Sequence, residues 1–156
     1  MGYRNLLVAY DGSESAGKAV ESAFELVGDR PGAHVTIICV CGLREEEEGD
    51  FSFAELNAAG HEVTSDDYRA AQKEYLERKL DALKDDIAPY IRGYRNQVTC
   101  HVEQGKPAKR IIEFAEEHGC DLIVMGCRGL NAVRGVLGSV SYAVLRTSPV
   151  PVFIAK

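Results

Sequence analysis

Apolar runs and amphipathic stretches alternate along the chain, which is the pattern of a protein that alternates strands with helices. The apolar runs are nearly continuous, as expected for strands buried on both faces of a parallel sheet. Five of them predict strands, at residues 5–10, 34–41, 97–103, 121–125 and 152–155. Between the runs, apolar residues recur at three- and four-residue spacing and predict four helices.

Capping residues set the expected ends of these helices, because Ser, Thr or a first-position Pro starts a helix and Gly or Pro stops it. The helices should run between Ser13 and Gly28, from Thr64 to just before Pro89, from Pro107 to His118, and from Ser139 to about Arg146. The resulting β-α-β-α-β-α-β-α-β order predicts a three-layer α/β fold with helices on both faces of a five-stranded parallel sheet. Residues 1–156 are expected to form a single domain.

Charge and hydropathy argue against several classes of function. The net charge of -6 argues against a general affinity for nucleic acid or for an anionic membrane surface. The chain holds no run of about 18 apolar residues that would span a bilayer. It enters its first strand almost at once, so no signal peptide is expected and a cytoplasmic location is predicted.

The five cysteines agree with that location. An odd number without a C-x-x-C pair indicates neither a disulfide framework nor a structural zinc site. Most are expected to be buried as small apolar residues. Cys127 differs because it stands in a glycine-bearing loop beside Arg128, where either a packing role or a redox role is open.

The segment from Arg44 to Gly60 carries four consecutive glutamates and is expected to be an acidic surface loop. Phe51 and Phe53 within it either anchor the loop on the core or fold over a neighbouring cleft.

The stretch from Met125 to Ser141 carries the clearest chemical signal. It follows an apolar strand, contains Gly126, Gly129 and Gly138, and leads into a helix that opens at Ser139. Glycine allows close approach of the backbone to an anion, and a helix N-terminus offers unpaired N–H groups and the positive end of a dipole. The stretch therefore predicts a phosphate site, although glycine loops also serve as plain turns.

Other polar and apolar residues follow strand ends and should meet this loop. Asp11 follows the first strand and Val40 lies at the end of the second, and in a parallel sheet ligands bind beyond such ends. Asp11 either contacts a ligand or caps the first helix. Ser139 either contacts a ligand or is the N-cap of the last helix. Three cations either pair with phosphate or are solvated on the surface: Arg128, Arg134 and Lys106.

No catalytic group stands out. The four histidines lack a metal-ligand spacing, and neither a P-loop nor a G-x-S-x-G elbow is present. Whether the protein is an enzyme is left open, and any hydrolysis of a phosphate ligand would be slow and would rely on Mg²⁺ or Mn²⁺ bound to the phosphates.

Over nearly its whole length the chain resembles the universal stress protein family. The resemblance rests on five segments: Leu6–Ser13, Glu103–Ala108, Cys120–Gly126, Gly138–Ser141 and Ser148–Val152. It implies the adenine nucleotide alpha hydrolase-like fold, a sheet of order 3-2-1-4-5, and a homodimer paired through the C-terminal strand.

The resemblance also implies ATP as the ligand of the members with the motif G-x2-G-x9-G-[ST]. Only eight residues, from Leu130 to Leu137, separate Gly129 from Gly138 here, one fewer than in that motif.

By this resemblance, the nucleotide would be held by Ala9, Asp11, Val40, Met125, Gly126, Arg128, Gly129, Gly138, Ser139, Val140 and Ser141. Asp11 and Val40 would meet the base or ribose, and the later residues the ribose and phosphates through N–H groups and hydroxyls. The implied function is that of an ATP-binding, dimeric stress-response switch or sensor. The alternatives are a dimeric interaction protein that binds no nucleotide and a slow ATPase.

Overall fold

A computed structural model describes residues 2–42, 60, 64–94, 97–130, 133 and 135–156. Five strands and four helices alternate within these residues, in the predicted order. The strands are β1 (Asn5–Ala9), β2 (His34–Cys41), β3 (Gln97–Gln104), β4 (Leu122–Gly126) and β5 (Val152–Ala155). The helices are α1 (Glu14–Val27), α2 (Ser65–Ile87), α3 (Pro107–Glu117) and α4 (Ser139–Thr147). The expected acidic loop at 44–60 lies outside the described residues, apart from Gly60.

The strands form one parallel sheet of order β3-β2-β1-β4-β5, which confirms the predicted fold. The winding direction reverses between β1 and β4, which are hydrogen-bonded neighbours with Leu6 opposite Leu122. In such a sheet, the carboxyl ends of the two strands at the reversal leave a crevice for a ligand. Asp11 and Gly126 stand at the carboxyl ends of these two strands.

Two apolar cores flank the sheet and make the three layers. One face packs against α1 and α2 through side chains such as Phe24 and Leu83. The opposite face packs against α3 and α4 through Phe114 and Val144. Alternate residues of β1, β2 and β4 enter the two cores, which explains why these central strands are mostly apolar.

Capping confirms most of the predicted helix ends. Ser13 caps α1, since its hydroxyl accepts from the N–H of Ala16 at 3.1 Å. Thr64 and Asp67 form a capping box at the start of α2. The N-cap of α4 is Gly138, so the alternative that Ser139 is the N-cap is wrong.

Candidate functional site

A cleft of about 280 Å³ opens at the carboxyl end of the sheet, beside the crevice between β1 and β4. Its walls come from the ends of β1, β2 and β4, from the first turns of α1, α3 and α4, and from the glycine loop. The glycine loop denotes the described residues between Gly126 and Gly138. One side of the cleft is apolar and the other is polar, so it suits a ligand with a flat apolar part and an anionic part.

The apolar wall is made by strand ends and by α3. Its side chains are those of Ala9, Ile38, Val40, Met125, Pro107 and Ile111. Ile38, Met125 and Ile111 belong to the core between the sheet and α3, so this wall continues a well-packed surface. A rigid apolar slot of this kind accommodates an aromatic ring with little reorganisation.

Helix α3 is brought to the cleft by a sharp turn after β3. Gly105, with a φ of 137°, takes a conformation that favours glycine, and its N–H donates to the carbonyl of Cys41 at 3.0 Å. Pro107 then begins the helix without needing a hydrogen-bond partner for its nitrogen. The Arg110 guanidinium bonds Glu103 at 3.0 Å and Glu117 at 3.1 Å, which ties α3 to the end of β3.

The polar wall includes the start of α4. Gly138 has no side chain to cap the helix, and the first bond made by the helix is Tyr142 N–H to Gly138 carbonyl at 2.8 Å. The N–H groups of Ser139, Val140 and Ser141 therefore have no acceptor inside the helix. The three residues line the same cleft as the apolar wall, and the N-terminus of a helix, with its unpaired N–H groups and positive dipole end, is a favourable place for an anion.

Two hydrogen bonds close the glycine loop onto α4. The buried hydroxyl of Ser141 donates to the carbonyl of Gly126 at 2.7 Å. The N–H of Gly138 donates to the carbonyl of Cys127 at 2.8 Å. The only hydroxyl proton of Ser141 is thus used within the protein, so this hydroxyl cannot also donate to a ligand.

Close packing against neighbouring residues constrains Gly126 strongly and Gly129 only weakly. A Cβ added to Gly126 would lie 2.6 Å from the carbonyl carbon of Ser15, closer than real contacts allow. A Cβ on Gly129 would lie 2.9 Å from Oδ2 of Asp11. These contacts bring the first turn of α1 against the loop, which sequence spacing did not indicate.

Charged and nucleophilic side chains at the cleft are few. Oδ1 of Asp11 accepts from the N–H of Ser13 at 2.9 Å, and Arg128 stands on the loop opposite.

The hydroxyl of Ser15 lies 3.5 Å from the sulfur of Cys127, and this bond lowers the pKa of the thiol, with a further contribution from Arg128. Lys106 is exposed next to the cleft, and Arg134 lies outside the described residues.

All eleven residues predicted for the site line this one cleft. Sequence reasoning missed five further lining residues, namely Tyr10, Ala16, Ile38, Pro107 and Ile111. Two of them had a readable signal. Ile38 lies two residues before Val40 on the same strand face, and Ile111 lies one helical turn after Pro107.

Within the described residues, no group of three or more His, Cys, Asp or Glu side chains is placed to hold a metal ion. Among the helices described, none combines the length and apolar character needed to cross a membrane.

Comparison with known proteins agrees with this architecture. The model of the universal stress protein family matches residues 2–156. A Staphylococcus epidermidis protein named as a universal stress protein is 34% identical over 157 residues, covering 99% of this chain and 84% of its own length.

Solved structures share the fold. UspA from Lactobacillus plantarum superposes with a TM-score of 0.71 at 23% identity, over 100% of this chain and 99% of its own. A universal stress protein in complex with cAMP gives a TM-score of 0.61 at 23% identity, over 99% of this chain and 98% of its own. With the family model matched from Gly2 to the last residue, the chain belongs to the universal stress protein family.

Proposed function

We propose that this universal stress protein binds an adenine nucleotide in the cleft and acts as a nucleotide-dependent switch. The observation that carries the proposal is the union, in one cleft, of an apolar slot with the unpaired N–H groups at the start of α4. The slot suits a purine ring and the N–H groups suit phosphate. A protein of the same fold binds cAMP, which supports a ligand of this class.

Each part of the nucleotide has a candidate partner. The base lies between Val40 and Ile111, and the exposed carboxylate of Asp11 accepts from a ribose hydroxyl. The phosphates lie against the N–H groups of Ser139 and Val140, and Arg128 pairs with them as a charged donor.

ATP with Mg²⁺ or Mn²⁺ is the proposed physiological form. The described residues offer Asp11 as the carboxylate of the cleft and no cluster of metal ligands, so a divalent ion is held mainly by the phosphates themselves. Such an ion neutralises phosphate charge beyond what Arg128, the cation among the described lining residues, compensates. The proposal concerns binding, and no hydrolytic step is assigned.

A homodimer through β5 is proposed as the unit that transmits the bound state. In the sheet β5 pairs with β4 alone, so its other edge is open within the described structure. Apolar side chains surround that edge, since Tyr142, Leu145 and Phe153 are 56%, 49% and 38% exposed. Unpaired strand edges with apolar neighbours favour association with another chain. Should the cleft bind no nucleotide, this dimer remains the basis of the second candidate, a stress-response interaction protein.

A direct test is the release of nucleotide from the purified protein after acid denaturation, measured by anion-exchange chromatography. Wild type should release an adenine nucleotide. Ala9→Phe, which fills the base end of the cleft, should release much less. Ala70→Phe makes the same change on the exposed surface of α2 and should behave as wild type. If nucleotide release by Ala9→Phe equals that of wild type while its circular dichroism is native, the cleft is not the site.

A further inference from the structure

The backbone of Arg128 is held on both sides by hydroxyls of the first turn of α1. Its N–H donates to Oγ of Ser15 at 3.3 Å, and its carbonyl accepts from Oγ of Ser13 at 3.4 Å. Neither serine belongs to the residues that line the cleft. Both therefore hold the glycine loop through its backbone without lining the cleft themselves.

The peptide group between Cys127 and Arg128 is fixed at its two ends. Its N–H meets Ser15, and its carbonyl, that of Cys127, accepts from Gly138 N–H at 2.8 Å. A trans peptide is planar, with N–H and C=O pointing in opposite directions. Two opposed bonds consequently leave this group no freedom to turn.

The next peptide group, between Arg128 and Gly129, has one end held and one end open. Its carbonyl points to Ser13, so its N–H, that of Gly129, points away from α1. Gly129 lines the cleft, and no acceptor for its N–H is found among the residues that the structure describes. The open N–H is thus directed to the side where the cleft lies.

Each serine hydroxyl is itself oriented by a second bond. Ser13 accepts from Ala16 N–H at 3.1 Å while it donates to Arg128, and Ser15 donates to the sulfur of Cys127 at 3.5 Å while it accepts from Arg128. Both stand on α1, whose inner face is fully buried against the sheet at Ala19 and Val20. A rigid element with locked hydroxyls holds a binding group more precisely than a loop does.

We infer that Ser13 and Ser15 are positioning residues that aim the N–H of Gly129 at the phosphate of the bound nucleotide. The inference rests on the proposed function and assigns these two residues a task beyond capping α1. The role of the two serines concerns phosphate alone, because β2 and α3 build the base slot at Val40 and Ile111, and neither serine lines the cleft.

The test compares AMP with adenosine in calorimetric titrations of Ser15→Ala. AMP should bind about tenfold more weakly than to wild type, as expected for a lost hydrogen bond that orients a donor to a charged group. Adenosine affinity and the apo melting temperature should not change. Ser22→Ala, elsewhere on α1, is the control and should match wild type for both ligands.

Ser13→Gly is the second variant, since Gly is a tolerated N-cap but lacks the hydroxyl that holds Arg128. It should reproduce the selective loss of AMP affinity. If both variants bind AMP as wild type does, or lose AMP and adenosine affinity equally, the positioning role is overturned while the proposed function stands. If wild type binds neither of these two ligands, the positioning role falls, and if it also fails to bind ATP and ADP, the proposed function falls with it.

Discussion

The hydroxyl of Ser141 donates a 2.7 Å hydrogen bond to the carbonyl of Gly126, so the first turn of α4 is fastened directly to the end of β4. The residues are 15 positions apart in sequence, and the glycine loop that separates them is closed at its base by this bond. Ser141 is buried, so its hydroxyl serves the protein rather than a ligand.

Ser141→Ala should destabilise the fold. The buried carbonyl of Gly126 would lose its partner, which costs about 1–3 kcal/mol in the free energy of unfolding. Ser139→Ala is the matched control, since Ser139 lies two residues earlier on the same helix and is exposed. It should change that free energy by less than about 0.5 kcal/mol. Urea denaturation of the two variants measures the difference, and equal stabilities would mean that the Ser141 bond has no structural role.

Two glycines of the loop should respond differently to the same substitution. An alanine Cβ at Gly126 meets backbone atoms of Ser15, so α1 or β4 must shift, with an expected cost of about 1–3 kcal/mol. At Gly129 the Cβ meets the end of the exposed Asp11 side chain, which can rotate away at little cost. Thermal unfolding should therefore show a lowered midpoint for Gly126→Ala and an almost unchanged one for Gly129→Ala. The reverse order would contradict the packing of α1 on the loop.

The fold was predictable because its signals are local. The central strands β1, β2 and β4 are mostly apolar on both faces, and Ser13, Thr64 and Pro107 mark helix starts by their own chemistry. Strand and helix ends deviate by a residue or so, as at Gly126, which still belongs to β4. Sheet order could not be worked out from the residues alone and came from the family resemblance.

The cleft was only partly predictable. Its strand-end and glycine-loop residues follow from the motif, whereas Tyr10 and Ala16 line it without a sequence pattern that marks them. The role of Ser15 depends on a contact across 113 positions to Arg128, which no local pattern reveals. Likewise, position 126 needs a glycine because Ser15 of the neighbouring helix α1 leaves no room for a Cβ, and not because of the local turn.

The thiol of Cys127 should react faster than those of Cys39, Cys100 and Cys120. The bond from Ser15 lowers its pKa, so its reactive thiolate is more abundant at neutral pH. Burial raises the pKa of Cys120 to about 11 and also raises that of Cys100, which leaves both mostly protonated. Brief treatment with iodoacetamide followed by peptide mass spectrometry should find Cys127 alkylated first.

Ser15→Ala should slow the alkylation of Cys127, because the thiolate loses its hydrogen-bond donor. An unchanged rate, or earlier labelling of Cys120 in the wild type, would show that the Ser15 contact does not control this thiol.

Phe153→Glu should convert a dimer into a monomer. The charge would lie on the open edge strand β5, where a partner strand has to bury it. Sedimentation velocity at micromolar concentration should give a dimer for wild type and a monomer for the variant. Tyr3→Glu, with a similar exposure of 40% but remote from β5 in the sheet order, should stay dimeric. A monomeric wild type would contradict the proposed assembly.

Calorimetric titration of the wild-type protein with ATP, ADP and AMP, each with and without Mg²⁺, tests the central claim most directly. Occupation of one site per chain by these adenine nucleotides is the predicted result, with ATP gaining most from Mg²⁺ because it carries the most phosphate charge for the ion to neutralise. Titration with GTP should give weaker binding. Absence of saturable binding by all three adenine nucleotides would contradict the account.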